Sequence, residues 1–183
     1  DGCKMNAQAE KTIALKKRDG FLCLRIHLTA IGRLKAGPER DICARYLERA
    51  QAASRGVGLT GVEMRETDES RARRPEDRKG EEARFLTAQT PAGARIIVLD
   101  ERGKTLGSEA FAADIGAARD AGAPAYALLI GGPDGIDPEL RAKASMVLAF
   151  GAMTWPHQLV RIMAAEQIYR AITILSGHPY HRV

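Results

Sequence analysis

Two short apolar runs limit what this chain can fold into. Ala94-Arg-Ile-Ile-Val-Leu-Asp100 and Ala125-Tyr-Ala-Leu-Leu-Ile130 are nearly continuous in apolar side chains and are bounded by polar or turn-forming residues. Apolar character without alternation, over so few residues, suits a strand covered on both faces. Double cover requires helices, and a helical pattern lies between the two runs. Ser108 stands as an N-cap, Glu109 falls in the first turn, Phe111 and Ile115 are four apart, and Gly122 sits at the C-cap position. Strands alternating with helices predict an α/β fold, a mainly parallel sheet flanked by helices.

The remaining elements follow the same alternation. From Leu22 the pattern has period 2, with Leu22, Leu24, Ile26 and Leu28 on one face and Cys23, Arg25 and His27 on the other. This predicts a half-buried opening strand with His27 at the surface. Pro38 opens a helix carrying Ile42, Tyr46, Leu47 and Ala50, which Gly56 and Gly58 stop, and a second strand runs from about Leu59 to Met64. Asp137 caps a short helix with Pro138 at its first position, and Met146 to Phe150 form a further strand. After Pro156, the residues Leu159, Ile162, Met163, Tyr169 and Ile172 make an apolar stripe at helical spacing, with Glu166 inside it and Gly177 ending it. Asp1 to Gly20 are polar, charged and aperiodic, which predicts a flexible N-terminal extension to a single domain over residues 21–183.

A net charge of +5 on 183 residues is compatible with a polyanionic partner. The stretch from Arg65 to Arg84 is dense in charge, but seven acids balance seven bases. It reads either as a solvated loop entering an exposed helix or as an arginine cluster that touches nucleic acid. Cys3, Cys23 and Cys43 are odd in number and widely spaced, which suits reduced thiols and gives no metal-ligand pattern. No apolar run approaches bilayer length, and the first twenty residues lack a secretory signal, so a cytoplasmic, non-membrane protein is expected.

In a parallel sheet, ligands bind beyond the carboxyl ends of the strands. Three loops begin at such ends, after Leu99, Ile130 and Phe150. The second, Gly131-Gly-Pro-Asp-Gly135, is either a tight turn or a place where backbone approaches a ligand. It is neither a P-loop nor a dinucleotide fingerprint. The third, Gly151-Ala-Met-Thr-Trp-Pro156, presents Met153 and Trp155 where polar turn residues are usual. Those side chains either cover the sheet edge or line an apolar pocket for a flat heterocycle such as adenine.

The pieces Leu128-Leu-Ile-Gly-Gly-Pro-Asp-Gly135, Met153-Thr-Trp-Pro-His-Gln-Leu-Val-Arg161, Glu166-Gln-Ile-Tyr-Arg-Ala171 and His178-Pro-Tyr-His-Arg182 occur in this order. Together they resemble the family of 23S ribosomal RNA pseudouridine N3-methyltransferases in the SPOUT superfamily, over roughly Leu22 to the C-terminus. The resemblance implies a C-terminal trefoil knot, a homodimer, and S-adenosyl-L-methionine (SAM) held at Leu99, Gly131, Gly132, Phe150, Gly151, Ala152, Met153, Thr154 and Trp155. It implies 23S rRNA within the ribosome as partner. Substrate-side candidates are His157, Arg161, His178, Tyr180, His181 and Arg182: arginine for phosphate, tyrosine for stacking, histidine for proton traffic. Three other readings are a tRNA methyltransferase, a non-catalytic RNA-binding module and a flavodoxin-like nucleotide-binding domain.

Overall fold

The computed structural model describes residues 24–181; the expected extension over residues 1–20, Leu22, Cys23 and Arg182 lie outside the described residues. The elements are β1 (Leu24–Ile31), α1 (Pro38–Ser54), β2 (Leu59–Thr67), α2 (Pro75–Ala88), β3 (Arg95–Lys104), α3 (Ser108–Asp120), β4 (Ala125–Ile130), α4 (Pro138–Lys143), β5 (Met146–Leu148) and α5 (His157–Leu175). The strands form one parallel sheet in the order β2-β1-β4-β3-β5. Helices α1, α3 and α5 cover one face, closing a core with Leu24, Ile26, Leu28, Ile97 and Leu128. Helices α2 and α4 cover the other face, where Leu86 and Leu140 pack on Ile31, Val98, Ala127 and Leu129. The short strand predicted to Phe150 ends at Leu148.

Strand β1 is not half-buried. It lies between β2 and β4, and within it only Arg25 is exposed. His27, expected at the surface, is 6% exposed. The alternation in sequence is real, but it separates an apolar face under α1 and α5 from a more polar face that the α2 side of the sheet also covers.

Helix α3 begins on Gly107 rather than on a Ser108 cap. The Ser108 hydroxyl instead donates to Gln167 Oε1 at 2.9 Å, which ties α3 to α5. The cap at Asp137 forms as expected, its carboxylate accepting from the amides of Glu139 and Leu140. Helix α5 buries an alanine-rich face, Ala164, Ala165, Ile168, Ala171 and Ile172, which lets it sit closely on α1 and α3. Of the stripe read from sequence only Ile172 is fully inside; Leu159 is 39% exposed, and Ile162, Met163 and Tyr169 are half-buried.

Two further features shape the sheet's carboxyl edge. Leu99 and Lys104 both pair with Leu148, so residues 100–103 of β3 bulge out of the pairing with β5. Gly103 permits this, because a Cβ there would stand 2.6 Å from the Leu148 carbonyl carbon. On the other side, Arg161 is 3% exposed, and its guanidinium donates to Glu66 Oε1 at 2.9 Å and to the Ile31 carbonyl. The Leu34 amide donates to that same Glu66 oxygen. One side chain on α5 thereby fastens the ends of β1 and β2. Replacing Arg161 with Ala leaves both acceptors without this donor, and a stability loss of about 3 kcal/mol is expected in urea unfolding. A loss no larger than that of an ordinary surface substitution would show that the two strand ends hold each other without it.

Candidate functional site

Because β4, β3 and β5 are neighbours, the loops after Ile130, Leu99 and Leu148 open side by side. They enclose a cleft of about 420 Å³, a size usual for small-molecule sites. Of the nine cofactor candidates, eight line it: Leu99, Gly131, Gly132, Phe150, Gly151, Met153, Thr154 and Trp155. Ala152 is exposed and is not part of the lining. The wall is mixed. Leu99, Ile130, Phe150 and Val160 supply apolar surface, while Asp100, Glu101, Asp134, Lys79, Arg102 and Arg141 supply charge. Met153 is 70% exposed and Trp155 38%, so they edge the opening rather than fill a core.

The glycine-rich loop is both a turn and a cleft wall. The Gly135 amide donates to the Gly132 carbonyl at 2.9 Å, and Gly135 adopts φ +86°, a conformation natural to glycine. A Cβ on Gly131 would stand 2.9 Å from the Gly135 carbonyl oxygen. Neighbouring elements hold this loop and the other two in place. Arg78 of α2 donates to both oxygens of Asp134, at 2.6 and 3.0 Å, and to the carbonyls of Ala72 and Arg73. That pairing lowers the Asp134 pKa and raises that of Arg78. The Thr154 hydroxyl donates to Glu101 Oε2 at 3.0 Å, joining the third loop to the first. Asp100 accepts the Arg102 amide at 2.8 Å and lies 3.5 Å from Arg141 of α4. The sequence marked Arg78 only as one charge in a neutral cluster, and Glu101 and Arg141 carried no signal of their own.

The substrate-side candidates divide into three places. His157, the first residue of α5, lines the cleft and does not cap the helix. Burial lowers its pKa, the Arg161 charge lowers it further, and Glu69 and the Gly131 carbonyl oppose them. Arg161 is in the core, occupied by Glu66 and Ile31, and is not free to take a phosphate. His178, Tyr180 and His181 fold back on α5. The His178 amide donates to the Thr173 carbonyl at 2.9 Å, and the Tyr180 hydroxyl to Glu166 Oε1 at 3.1 Å. His181 Nε2 lies 3.6 Å from Glu109. Tyr180 packs against Tyr169 with ring centroids 4.7 Å apart and planes inclined by 57°, and Arg170 stands over its ring at 4.9 Å. Glu166, inside that stripe, pairs with Arg170 of its own helix.

This tail cluster adjoins a second, larger cleft of about 610 Å³ between α1, α5 and the loop entering α3, with Tyr46, Ser108, Met163 and Glu166 in its wall. Leu148, Ala149, Phe150 and Gly151 line both clefts, so the third loop is the partition between them. Among the described residues, no three His, Cys, Asp or Glu side chains gather where they could hold a metal ion, and no helix is long and apolar enough to cross a membrane.

A parallel sheet with three loops closing on one cleft at its carboxyl edge defines an α/β domain built to hold a small molecule. The family model described as "Predicted SPOUT methyltransferase" matches residues 24–181, and the chain belongs to that family. It is 55% identical over 159 residues to the Ribosomal RNA large subunit methyltransferase H of Methylocella silvestris, covering 87% of this chain and 99% of the relative. The proteins of that name from Rhizobium meliloti and Rhizobium rhizogenes are 57% identical over 159 residues and 56% identical over 160 residues, with 99% and 100% of the relative covered.

Buried His27 and half-buried His157 give the protein a pH signature. His27 and His157 both have pKa values lowered by burial. A histidine whose folded pKa lies below its unfolded value of about 6.5 contributes fully above that pH and loses the contribution as pH falls through the folded value. Imidazole titrations by NMR are expected to place both midpoints below 6.5, with unfolding free energy decreasing from pH 7 toward pH 5. A His157 midpoint above 6.5 would contradict the environment described for it.

Proposed function

We propose that this chain is a SAM-dependent methyltransferase that methylates N3 of a pseudouridine in 23S rRNA, acting as a homodimer on the assembled ribosome in the cytoplasm. The observation that carries the reading is the convergence of Leu99, the Gly131-Gly132 turn and the Phe150 to Trp155 loop on one cleft. The residues fit the cofactor. Leu99, Ile130, Phe150 and Val160 suit an adenine ring and a thioether chain, and Asp100, Glu101 and Asp134 suit a cationic ligand. SAM supplies a methyl group on a sulfonium, a leaving group already activated by its charge.

The protein's own contribution is then position and proton handling. His157, held neutral near pH 7 by burial and by the Arg161 charge, suits accepting the N3 proton of the base. His178, Tyr180, His181 and Arg182 serve the RNA side, Tyr180 by its ring face and Arg182 by phosphate pairing. The half-exposed Leu159 and Met163 on α5 favour a second copy as partner. The trefoil knot is proposed where the chain after β5 leaves beside the excursion of residues 100–103, with Gly103 against Leu148.

The test is incubation of the protein with labelled SAM and ribosomes from a strain lacking it, followed by nucleoside analysis. N3-methylated pseudouridine in 23S rRNA is the expected product; label in tRNA alone would reject the substrate assignment. Gly131→Val is expected to weaken SAM binding roughly 100-fold or more in calorimetry, because its side chain cannot share space with Gly135 and Ile136. Wild-type affinity in that variant would remove the glycine turn from the site. Deleting residues 180–183 is expected to abolish methyl transfer while SAM affinity stays within a few-fold of wild type. Full transfer activity after the deletion would release the tail from any substrate role.

A further inference from the structure

We propose that Glu82 is a positioning residue for the cofactor loop, its buried carboxyl group forming the stop against which Gly132 is seated. The inference rests on reading the cleft as the SAM site. Glu82 lies in α2 and is 5% exposed, a degree of burial that glutamate rarely shows without a pairing partner. Among the described residues no basic side chain forms an ion pair with it. Its Oε1 accepts the Ser70 amide at 3.1 Å, while its Oε2, fully buried, makes no hydrogen bond of full geometry and has only the backbone amide of Gly132 turned toward the carboxyl group. What both oxygens meet is Gly132: a Cβ there would stand 2.6 Å from Oε2 and 2.9 Å from Oε1.

A carboxyl group is a costly filler for this place. Burial raises its pKa, the Ser70 and Gly132 amides act against that, and the Asp134 and Glu69 charges add to the rise. Leu86, one turn further along α2, occupies the adjoining core as an ordinary apolar residue. Arg78 stands one turn before Glu82, so the two lie on the same face of the helix. Arg78 grips Asp134 with two hydrogen bonds, while Glu82 abuts Gly132, two residues earlier in the loop. Helix α2 therefore touches the turn at two points, one pulling and one stopping. Gly131 and Gly132, with the Asp134 beyond them, are cleft lining. The depth of that wall is set from behind, by a residue that does not itself line the cleft.

The test uses the full chain with Glu82→Ala, Glu82→Gln, Gly132→Ala and the double variant Glu82→Ala/Gly132→Ala. SAM affinity is read by calorimetry, and hydrogen exchange of the Gly132 and Gly135 amides is read without ligand. Glu82→Ala is expected to weaken SAM about tenfold and to speed exchange in the loop while β1 and β4 amides keep their protection. Glu82→Gln, of equal shape, is expected to restore both readouts. Gly132→Ala is expected to weaken SAM because its methyl group meets the carboxyl group, and the double variant to bind better than Gly132→Ala alone because the space has been vacated. Losses that simply multiply, or loop exchange unchanged in Glu82→Ala, would reduce Glu82 to a buried core residue and overturn the proposal. If Glu82→Ala does not fold, Glu82→Asp withdraws the carboxyl group by one methylene and is read in the same way. Absence of SAM binding by the wild type would overturn the cofactor reading alone, since the ligand-free exchange of the variants still decides the role of Glu82.

Discussion

A single guanidinium buried beneath the sheet edge organises much of this molecule. Arg161 enters from α5 and satisfies the Ile31 carbonyl and the Glu66 carboxylate, which belong to the ends of two different strands. A charge in that position is tolerated only with its acceptors in place. The strand ends and the first turn of α5 therefore have to be correct together. His157, one turn ahead of Arg161, is delivered to the cleft by that anchoring, and the Arg161 charge helps to keep its imidazole neutral. A residue buried away from any substrate thus shapes the site through its neighbours.

The cleft itself follows from strand order. Placing β4, β3 and β5 side by side brings three separate loops to one edge, and short polar links then join the loops to one another and to the helices behind them. Thr154 reaches Glu101 across two loops, and Arg141 reaches Asp100 from α4. The same strand end, Leu148 to Gly151, also lines the second cleft, where Tyr180, Tyr169 and Arg170 gather nearby. Two clefts share one thin partition, the strand end from Leu148 to Gly151.

The alternation of elements and the three-loop cleft were legible in the sequence because short apolar runs, glycine turns and capping residues are local signals. Ala125 to Ile130 is buried along its whole length, whereas in the run from Ala94 to Asp100 the strand starts at Arg95 and only Ile97, Val98 and Leu99 are fully covered. What was not legible depends on partners distant in sequence. The period-2 pattern of β1 describes two chemically different faces, and only the strand order reveals that both are covered, which is why His27 is inside. The bulky stripe on α5 attracted attention, yet the helix buries its alanines, since close approach to α1 and α3 demands small side chains. Arg161 read as a phosphate ligand because its acceptors, Glu66 and Ile31, lie far back in the chain. Glycine is usually read for its φ angle, and the value of Gly103 lies instead in a close backbone approach to Leu148 that local pattern cannot display.

The excursion between Leu99 and Lys104 has a kinetic consequence. The three-residue strand β5 pairs beside both ends of that excursion, and α5, which follows it, is the layer that seals α1 and α3 over the first core. Neither step is available to a chain that has been synthesised only as far as β4. Residues up to Ile130 can pair their strands, but the apolar face meant for Ala164, Ile168 and Ile172 remains open to water until the last helix has emerged and docked. Non-local closure of this kind is slow compared with helix formation. The cleft therefore stays unfinished until β5 and α5 have docked, and competence to hold a ligand arrives with that closure.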